Sequence, residues 1–231
     1  MNEILLIISL VLTYSSVVLA YALFGIYGLI VFGVFATIVA NIEVSILIDA
    51  FGITQTLGNV LFASTFLLTD ALSEIHGKKV ARKAVGISIF FSIMFLVFSQ
   101  TWLLYTPVDL EFFVSLEQVF SQIPRIIIVS LLVFAFASYL DVWLYHWWWN
   151  LTTKIFNSKD KGLWIRNNGS TLISQFINTC LFTFGAFYGV YDLEVIYSII
   201  VSSYLIFACM ALLDTIALYA IVHLARRKGE R

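Results

Sequence analysis

A helix that crosses a bilayer needs about 20 consecutive, predominantly apolar residues. Seven stretches of this chain read as such segments: residues 3–24, 27–50, 56–76, 84–105, 124–148, 169–190 and 194–224. No other feature limits the fold as strongly, because a lipid-embedded backbone must satisfy its own polar groups and helices do so within one segment. The composition agrees: 61% of the 231 residues are hydrophobic, 12% are charged, and the mean hydropathy is +0.97, well outside the soluble globular range. The expectation is an all-α integral membrane protein, a bundle of about seven transmembrane helices forming a single polytopic domain over residues 1–231. Segment three is the least apolar and is open to a partly re-entrant reading. The start, Met1-Asn2-Glu3, lacks the basic region of a signal peptide, so the first segment reads as a retained helix.

The cations set the expected topology. Lys78, Lys79, Arg82 and Lys83 follow segment three; Lys154, Lys159, Lys161 and Arg166 follow segment five; Arg226, Arg227, Lys228 and Arg231 follow segment seven. Seven spans place all of these on one side, and of the 13 Lys and Arg only Arg125 lies elsewhere. The opposite loops carry Asp49, Asp109, Glu111, Glu117, Asp192 and Glu194. The positive-inside rule then makes the C-terminus cytoplasmic and the N-terminus external, in the cell membrane. Trp147, Trp148, Trp149 and Trp164 flank a cytoplasmic loop and read as an interfacial belt. Residues 108–123 mix apolar and acidic residues, which fits either a short amphipathic helix on the outer interface or an ordered loop.

Acids within the spans are costly and mark candidate sites. Segments three, five and seven run in the same direction, and each carries an aspartate late in its course: Asp70, Asp141 and Asp214. At 1.5 Å per residue all three fall in the same half of the bilayer and can share one cavity. Polar stripes accompany them at helical spacing. These are Thr171, Ser174, Gln175 and Asn178 in segment six, Ser138, Asp141 and Tyr145 in segment five, and Asp70, Ser73 and Glu74 in segment three. Segment two offers Thr37, Asn41 and Ser45, with Glu43 off that face. Such residues serve either as packing glue between helices or as a ligand-binding lining; for the acids an interhelical partner such as Arg125 is the alternative. Glu74 also stands four residues before Lys78, the spacing of an ordinary surface pair.

Several functions are disfavoured. A net charge of −1 gives no field to attract nucleic acid. Cys180 and Cys209 lie in apolar segments and suggest neither a disulfide framework nor a metal site. His76, His146 and His223 are scattered over three segments, unlike a metal centre. There is no phosphate-binding GxxxxGK[ST] loop and no GxSxG or HExxH motif, so no ATPase, cofactor site or familiar hydrolase is indicated. An intramembrane aspartyl enzyme using Asp70 with Asp141 has only the two acids in its favour.

The residues Gly58-Asn59-Val60-Leu61, Thr69-Asp70, Glu74 to Lys79, Leu140-Asp141-Val142-Trp143, Trp164 to Thr171, Ser174-Gln175 and Leu213-Asp214-Thr215 together resemble the queuosine precursor transporter family, also called vitamin uptake transporters. The resemblance implies import of 7-deazaguanines such as 7-cyano-7-deazaguanine, 7-aminomethyl-7-deazaguanine or queuine, used to make a modified tRNA base. It implies a six-helix core similar to the substrate-binding subunits of energy-coupling-factor transporters, plus an extra N-terminal helix, working without the ATPase module. Asn178 departs from the family, which usually has aspartate there, so substrate preference here is open to differ.

The chemistry of such a ligand suits the polar residues. A deazaguanine has a paired N–H donor edge that a carboxylate accepts, a carbonyl that an amide serves, and a flat face for an aromatic ring. The expected substrate-binding residues are Asp70, Asp141, Gln175 and Asn178, with Glu74, Asp214 and Asn41 further candidates. Trp143, Phe134 and Tyr139 are the candidates for stacking. A binding subunit that needs a separate energising complex is the alternative reading within transport. The driving force stays open between proton coupling and facilitated diffusion, the second needing fewer assumptions. Nothing in the sequence excludes a homo-oligomer.

Overall fold

A computed structural model of the chain describes residues 1–44, 46–121 and 124–230, without the side chains of Leu47, Thr54, Ser121 and residues 124–127. Ser45, Arg231 and the Arg125 side chain, which the sequence analysis singled out, lie outside the described residues. Eight helices are found among the described residues: α1 Asn2–Phe24, α2 Ile26–Glu43, α3 Asn59–His76, α4 Lys78–Trp102, α5 Leu110–Ser121, α6 Pro124–Phe156, α7 Leu163–Phe187 and α8 Leu193–Lys228. Five of them, α1, α2, α4, α6 from Ile128 onward, and α8, are long and apolar enough to cross a membrane. The chain is thus an all-α membrane bundle. The two other long helices, α3 and α7, are the ones that carry dense polar faces, and those faces are buried.

Helix α3 is the centre of the bundle. Every residue from Ala63 to Glu74 is buried, as expected of a helix packed on all sides. Around it Tyr14, Val17 and Tyr21 of α1, Leu29 of α2, Val85 of α4 and Leu218, Ile221 and Val222 of α8 join Leu67, Leu68, Ala71 and Leu72 in one apolar core. Leu5, Ile8, Val11, Leu12 and Leu19 on α1, like Ile216 on α8, face outward. Apolar side chains on the outer surface are what a bilayer requires.

Two glycines make the sharp reversals. Gly25 between α1 and α2 has φ 59°, and Gly77 between α3 and α4 has φ 82°, both in the region that favours a residue without Cβ. A Cβ on Gly28 would lie 2.1 Å from the Ala20 carbonyl oxygen, so the α1–α2 reversal depends on a second glycine as well.

The structure corrects several expected boundaries. Segment two ends at Glu43; Leu47–Ala50 (β1) then pairs antiparallel with Ile53–Thr56 (β2), Ala50 opposite Ile53. The β-branched residues Ile48, Ile53, Thr54 and Thr56 flank Phe51-Gly52, whose φ values of 55° and 73° make a two-residue turn of the twist a hairpin prefers. Helix α6 runs on to Phe156 and α7 begins at Leu163, six residues before the expected start, because the run from Trp164 to Ser170 is helical, with Arg166, Asn167, Asn168 and Ser170 buried, rather than part of a loop. Residues 110–121 are a helix, with the Asp109 carboxylate accepting from the Phe112 N–H at 3.1 Å in a cap.

Contacts at the helix ends bring the cationic segments to one end of the bundle. Tyr21 donates to Glu230 at 2.8 Å, and Lys228 Nζ donates to the carbonyls of Tyr21 and Ala22. His76 lies 3.7 Å from Glu230, and Arg226 pairs with Asp160 at 3.0 Å. At the other end Asn2 donates to the Asp49 carbonyl at 2.9 Å, holding the hairpin against the start of α1.

Candidate functional site: a buried carboxylate ladder on α7

Helix α7 presents Arg166, Asn167, Ser170, Thr171 and Ser174 to its neighbours, every one buried. Their spacing of one and four residues makes one broad face. Four acids from three other helices bond to that face. Nearest the cationic end, Arg166 and Glu74 form a bidentate ion pair, with Nε donating to Oε2 at 2.6 Å and Nη2 to Oε1. Asn167 donates to Asp214 Oδ1 at 3.1 Å. One turn further, Asp70 accepts from Thr171 at 3.1 Å and from Ser170 at 3.5 Å. Beyond that Asp141 accepts from Ser174 at 2.9 Å and, from α3, Thr69 at 2.8 Å. Asp70, Glu74, Asp141 and Asp214 are all buried.

The same interval of four residues recurs on each helix: Asp70 to Glu74 on α3, Asp141 to Tyr145 on α6, Ser170 back to Arg166 on antiparallel α7. The polar residues therefore stack in layers one turn apart. In the layer nearer the cationic end Tyr145 donates to Glu74, and the Arg166 guanidinium lies 4.5 Å over the Trp149 ring and donates to the Lys161 carbonyl at 3.0 Å. An aromatic face and a carboxylate together suit a desolvated guanidinium. Among the described residues Arg166 is the only buried cation.

Close approach of α6 and α7 depends on Gly169, where a Cβ would stand 2.6 Å from Trp148 Cε2. A cavity of about 20 Å³ lies between α2, α3, α4 and Phe134 of α6 and reaches the ladder at Thr69; it is room for about one water. On α7, Gln175 is buried and its Oε1 has no partner among the described residues.

Of the residues singled out from sequence, the structure gathers Asp70, Asp141, Glu74 and Asp214 around α7, on which Gln175 and Asn178 are also buried. Asn41 lies apart, accepting from Ser130 at 3.0 Å and donating to the Thr37 carbonyl. Trp143 is 48% exposed on the outer surface of α6, away from the carboxylates; two residues beyond Asp141 is roughly the opposite helical face. Tyr139 is likewise exposed, whereas Phe134 is buried. The surface pairing expected for Glu74 with Lys78 is replaced by the buried pair with Arg166. The interfacial reading suits exposed Trp147 and Trp164, but Trp148 packs on Gly169 and Trp149 on Arg166.

Sequence reasoning missed Arg166, which it counted as a loop cation, and gave Asn167 and Asn168 no role. The available signal was the interval Arg166, Ser170, Ser174, Asn178, one face extended a turn below the assigned helix start.

An all-helical bundle with apolar outer surfaces and a buried, hydrogen-bonded set of acids at its centre defines a polytopic membrane transporter. The chain belongs to the family described as "Putative vitamin uptake transporter", whose model matches residues 56–221. It is 39% identical over 213 residues, 91% of this chain and 90% of the relative, to the "Probable queuosine precursor transporter" of Bacillus subtilis (strain 168). No solved structure matches the chain.

Proposed function

We propose that this chain imports 7-deazaguanine precursors of queuosine, among 7-cyano-7-deazaguanine, 7-aminomethyl-7-deazaguanine and queuine. It does so as one polytopic unit over residues 1–231, without an ATPase of its own and without catalysing a reaction. The observation that carries the reading is the pair Asp70 and Asp141, buried neighbouring carboxyls that accept from the hydroxyls of Ser170, Thr171, Ser174 and Thr69. A carboxylate so held keeps lone pairs for a ligand's N–H groups. The identity to a relative bearing the queuosine precursor name supports the substrate class.

Gln175, with its unpartnered Oε1, is the neighbouring amide, and Asn178 stands three residues further on the same helix. In a dry site a ligand lacking the matching donors leaves these acceptors unpaired, which favours a deazaguanine of the right edge over other heterocycles. The cavity that reaches Thr69 is far smaller than the 300 Å³ or more of a typical ligand pocket, so a ring system enters there only if the helices lining it move apart. The cationic end faces the cytoplasm by the positive-inside rule, with the N-terminus outside.

The test is thermal unfolding of the purified protein in detergent with the three deazaguanines, guanine and riboflavin. A ligand that binds the folded state alone stabilises it by about 1.4 kcal/mol per tenfold excess over its Kd. Stabilisation by a deazaguanine and not by guanine or riboflavin is the expected result. A folded sample indifferent to every deazaguanine refutes the assignment. Co-purification of an ATPase complex on which uptake depends would replace the solitary importer with an energised binding subunit.

A further inference from the structure

The cations at the start of α4 differ from others at the same end of the bundle. Arg226 pairs with Asp160, Lys228 is held by the Tyr21 and Ala22 carbonyls, and Arg166 is buried on Glu74. Lys79, Arg82 and Lys83 are exposed and pair with no carboxylate among the described residues. They also crowd the positive end of a helix dipole, and the first turn of α4 holds no acid. An anion from outside the chain would relieve both conditions.

The direction of the three side chains narrows the choice of anion. They share one face of α4 with Gly86, Phe90 and Val97. Phe90 and Val97 are exposed on the apolar outer surface. The cations therefore continue the lipid-facing stripe of α4 beyond its apolar part, at the level of headgroups.

Helix α6 forms a second wall. A Cβ on Gly86 would stand 3.3 Å from the Tyr139 hydroxyl, so this side chain reaches across to α4 one turn from Arg82. Trp143 and His146 follow Tyr139 at helical spacing, and the charges of Lys78 and Arg82 reach the His146 ring, which places this face of α6 beside the basic end of α4. The His146 Nδ1 is taken by the Val142 carbonyl at 2.9 Å. Tyr139 and Trp143 are exposed, and neither the hydroxyl nor the indole N–H has a hydrogen-bond partner among the described residues. Glu74, the carboxylate whose charge also reaches His146, is buried and bound to Arg166 and Tyr145.

We propose that this groove between α4 and α6 binds an anionic phospholipid of the leaflet at the cationic end. Lys79, Arg82 and Lys83 take the phosphate, Tyr139 and Trp143 donate to the glycerol ester carbonyls, and the acyl chains lie along Phe90 and Val97. Charge complementarity selects this occupant: uncompensated cations with two neutral donors above them match a phosphate with esters above it. An acidic protein segment would satisfy the cations and leave the donors and the apolar stripe unused. The inference does not depend on the importer reading.

The experiment is thermal unfolding of the full chain in detergent micelles with increasing fractions of phosphatidylglycerol or phosphatidylcholine, and separately with inorganic phosphate at equal ionic strength. Phosphatidylglycerol is expected to raise Tm saturably, and phosphatidylcholine and phosphate are not. Arg82→Gln with Lys83→Gln is expected to raise the half-saturating lipid fraction roughly 30-fold, and Tyr139→Phe roughly two- to tenfold. Lys159→Gln with Arg227→Gln, which removes equal charge from exposed positions elsewhere at the same end, is expected to leave it unchanged.

Equal shifts with the two lipids, or a shift with phosphate alone, overturn the lipid site. Equal weakening by the two double variants overturns its location and leaves only general attraction to a charged surface. A Tyr139→Phe curve identical to wild type overturns the α6 wall.

Discussion

Glu74 and Arg166 form an ion pair whose side chains are both 0% exposed, one helical turn beyond the hydrogen bonds from Ser170 and Thr171 to Asp70. Removing one member of a buried pair strands the other charge and costs about 3–5 kcal/mol, while replacing both with apolar side chains of similar volume is often neutral or better. Arg166→Met is therefore expected to lower stability by about that amount and Glu74→Met with Arg166→Met to restore most of it. Unfolding curves for both single variants and the double variant check this; a double-variant loss equal to the sum of the two single losses would show that the residues are not coupled.

Tyr145 donates to the same carboxylate. Because Arg166 remains in place, Tyr145→Phe removes one hydrogen bond to a charged group and should cost about 1.5–3 kcal/mol, with the apolar packing of the ring retained. The variant is expected to fold and to melt at a lower temperature than wild type. A stability unchanged from wild type would mean that the hydroxyl contributes nothing to holding Glu74.

Asp70→Asn and Asp141→Asn keep the side-chain shape and an acceptor for the Thr171 or Ser174 hydroxyl, but give up the charge. Loss of a charged hydrogen bond to the ligand is worth about 1.5–3 kcal/mol, or roughly 10- to 150-fold in Kd for the deazaguanine. Equilibrium binding to the two folded variants reads this directly. Affinities within twofold of wild type would remove both residues from the binding site.

At Gly169 an added methyl meets the Trp148 indole at 2.6 Å. Gly169→Ala is expected to destabilise by about 1–3 kcal/mol through overpacking, and Trp148→Leu in the same chain should relieve most of it. Differential stability of the three variants is the measurement, and a harmless Gly169→Ala would mean that α6 and α7 can separate without strain.

Trp143→Ala should leave ligand affinity unaltered, since the indole lies on the outer surface of α6. A marked loss of binding in this variant would place the ring back in the site and contradict its observed direction.

The bundle was legible because lipid imposes one rule on every span, and hydropathy reports it directly. Asp70, Asp141 and Asp214 stood out for the same reason: an acid in such a segment requires a partner. The identity of the partner was not legible. Arg166 reads as a loop cation until α7 is known to begin at Leu163, and nothing local in the sequence separates a buried arginine from a solvated one. The hairpin at 47–56 was lost because short apolar runs carry no period that distinguishes a strand from the tail of a helix. Trp143 was chosen for its proximity to Asp141 in sequence, where helical geometry sends the two in nearly opposite directions.

The hydroxyls of Thr69, Thr171 and Ser174 occupy acceptor positions on Asp70 and Asp141 that a ligand's N–H groups would also seek. Arrival at either acid is then an exchange reaction, one donor leaving for each donor gained where their positions coincide. Net affinity in such an exchange is a difference between two similar quantities. A molecule bringing a single donor gains little, whereas one bringing two on a rigid edge displaces both occupants in one step. The serines and threonines of α7 would in this way set a threshold, selecting by the number and spacing of donors.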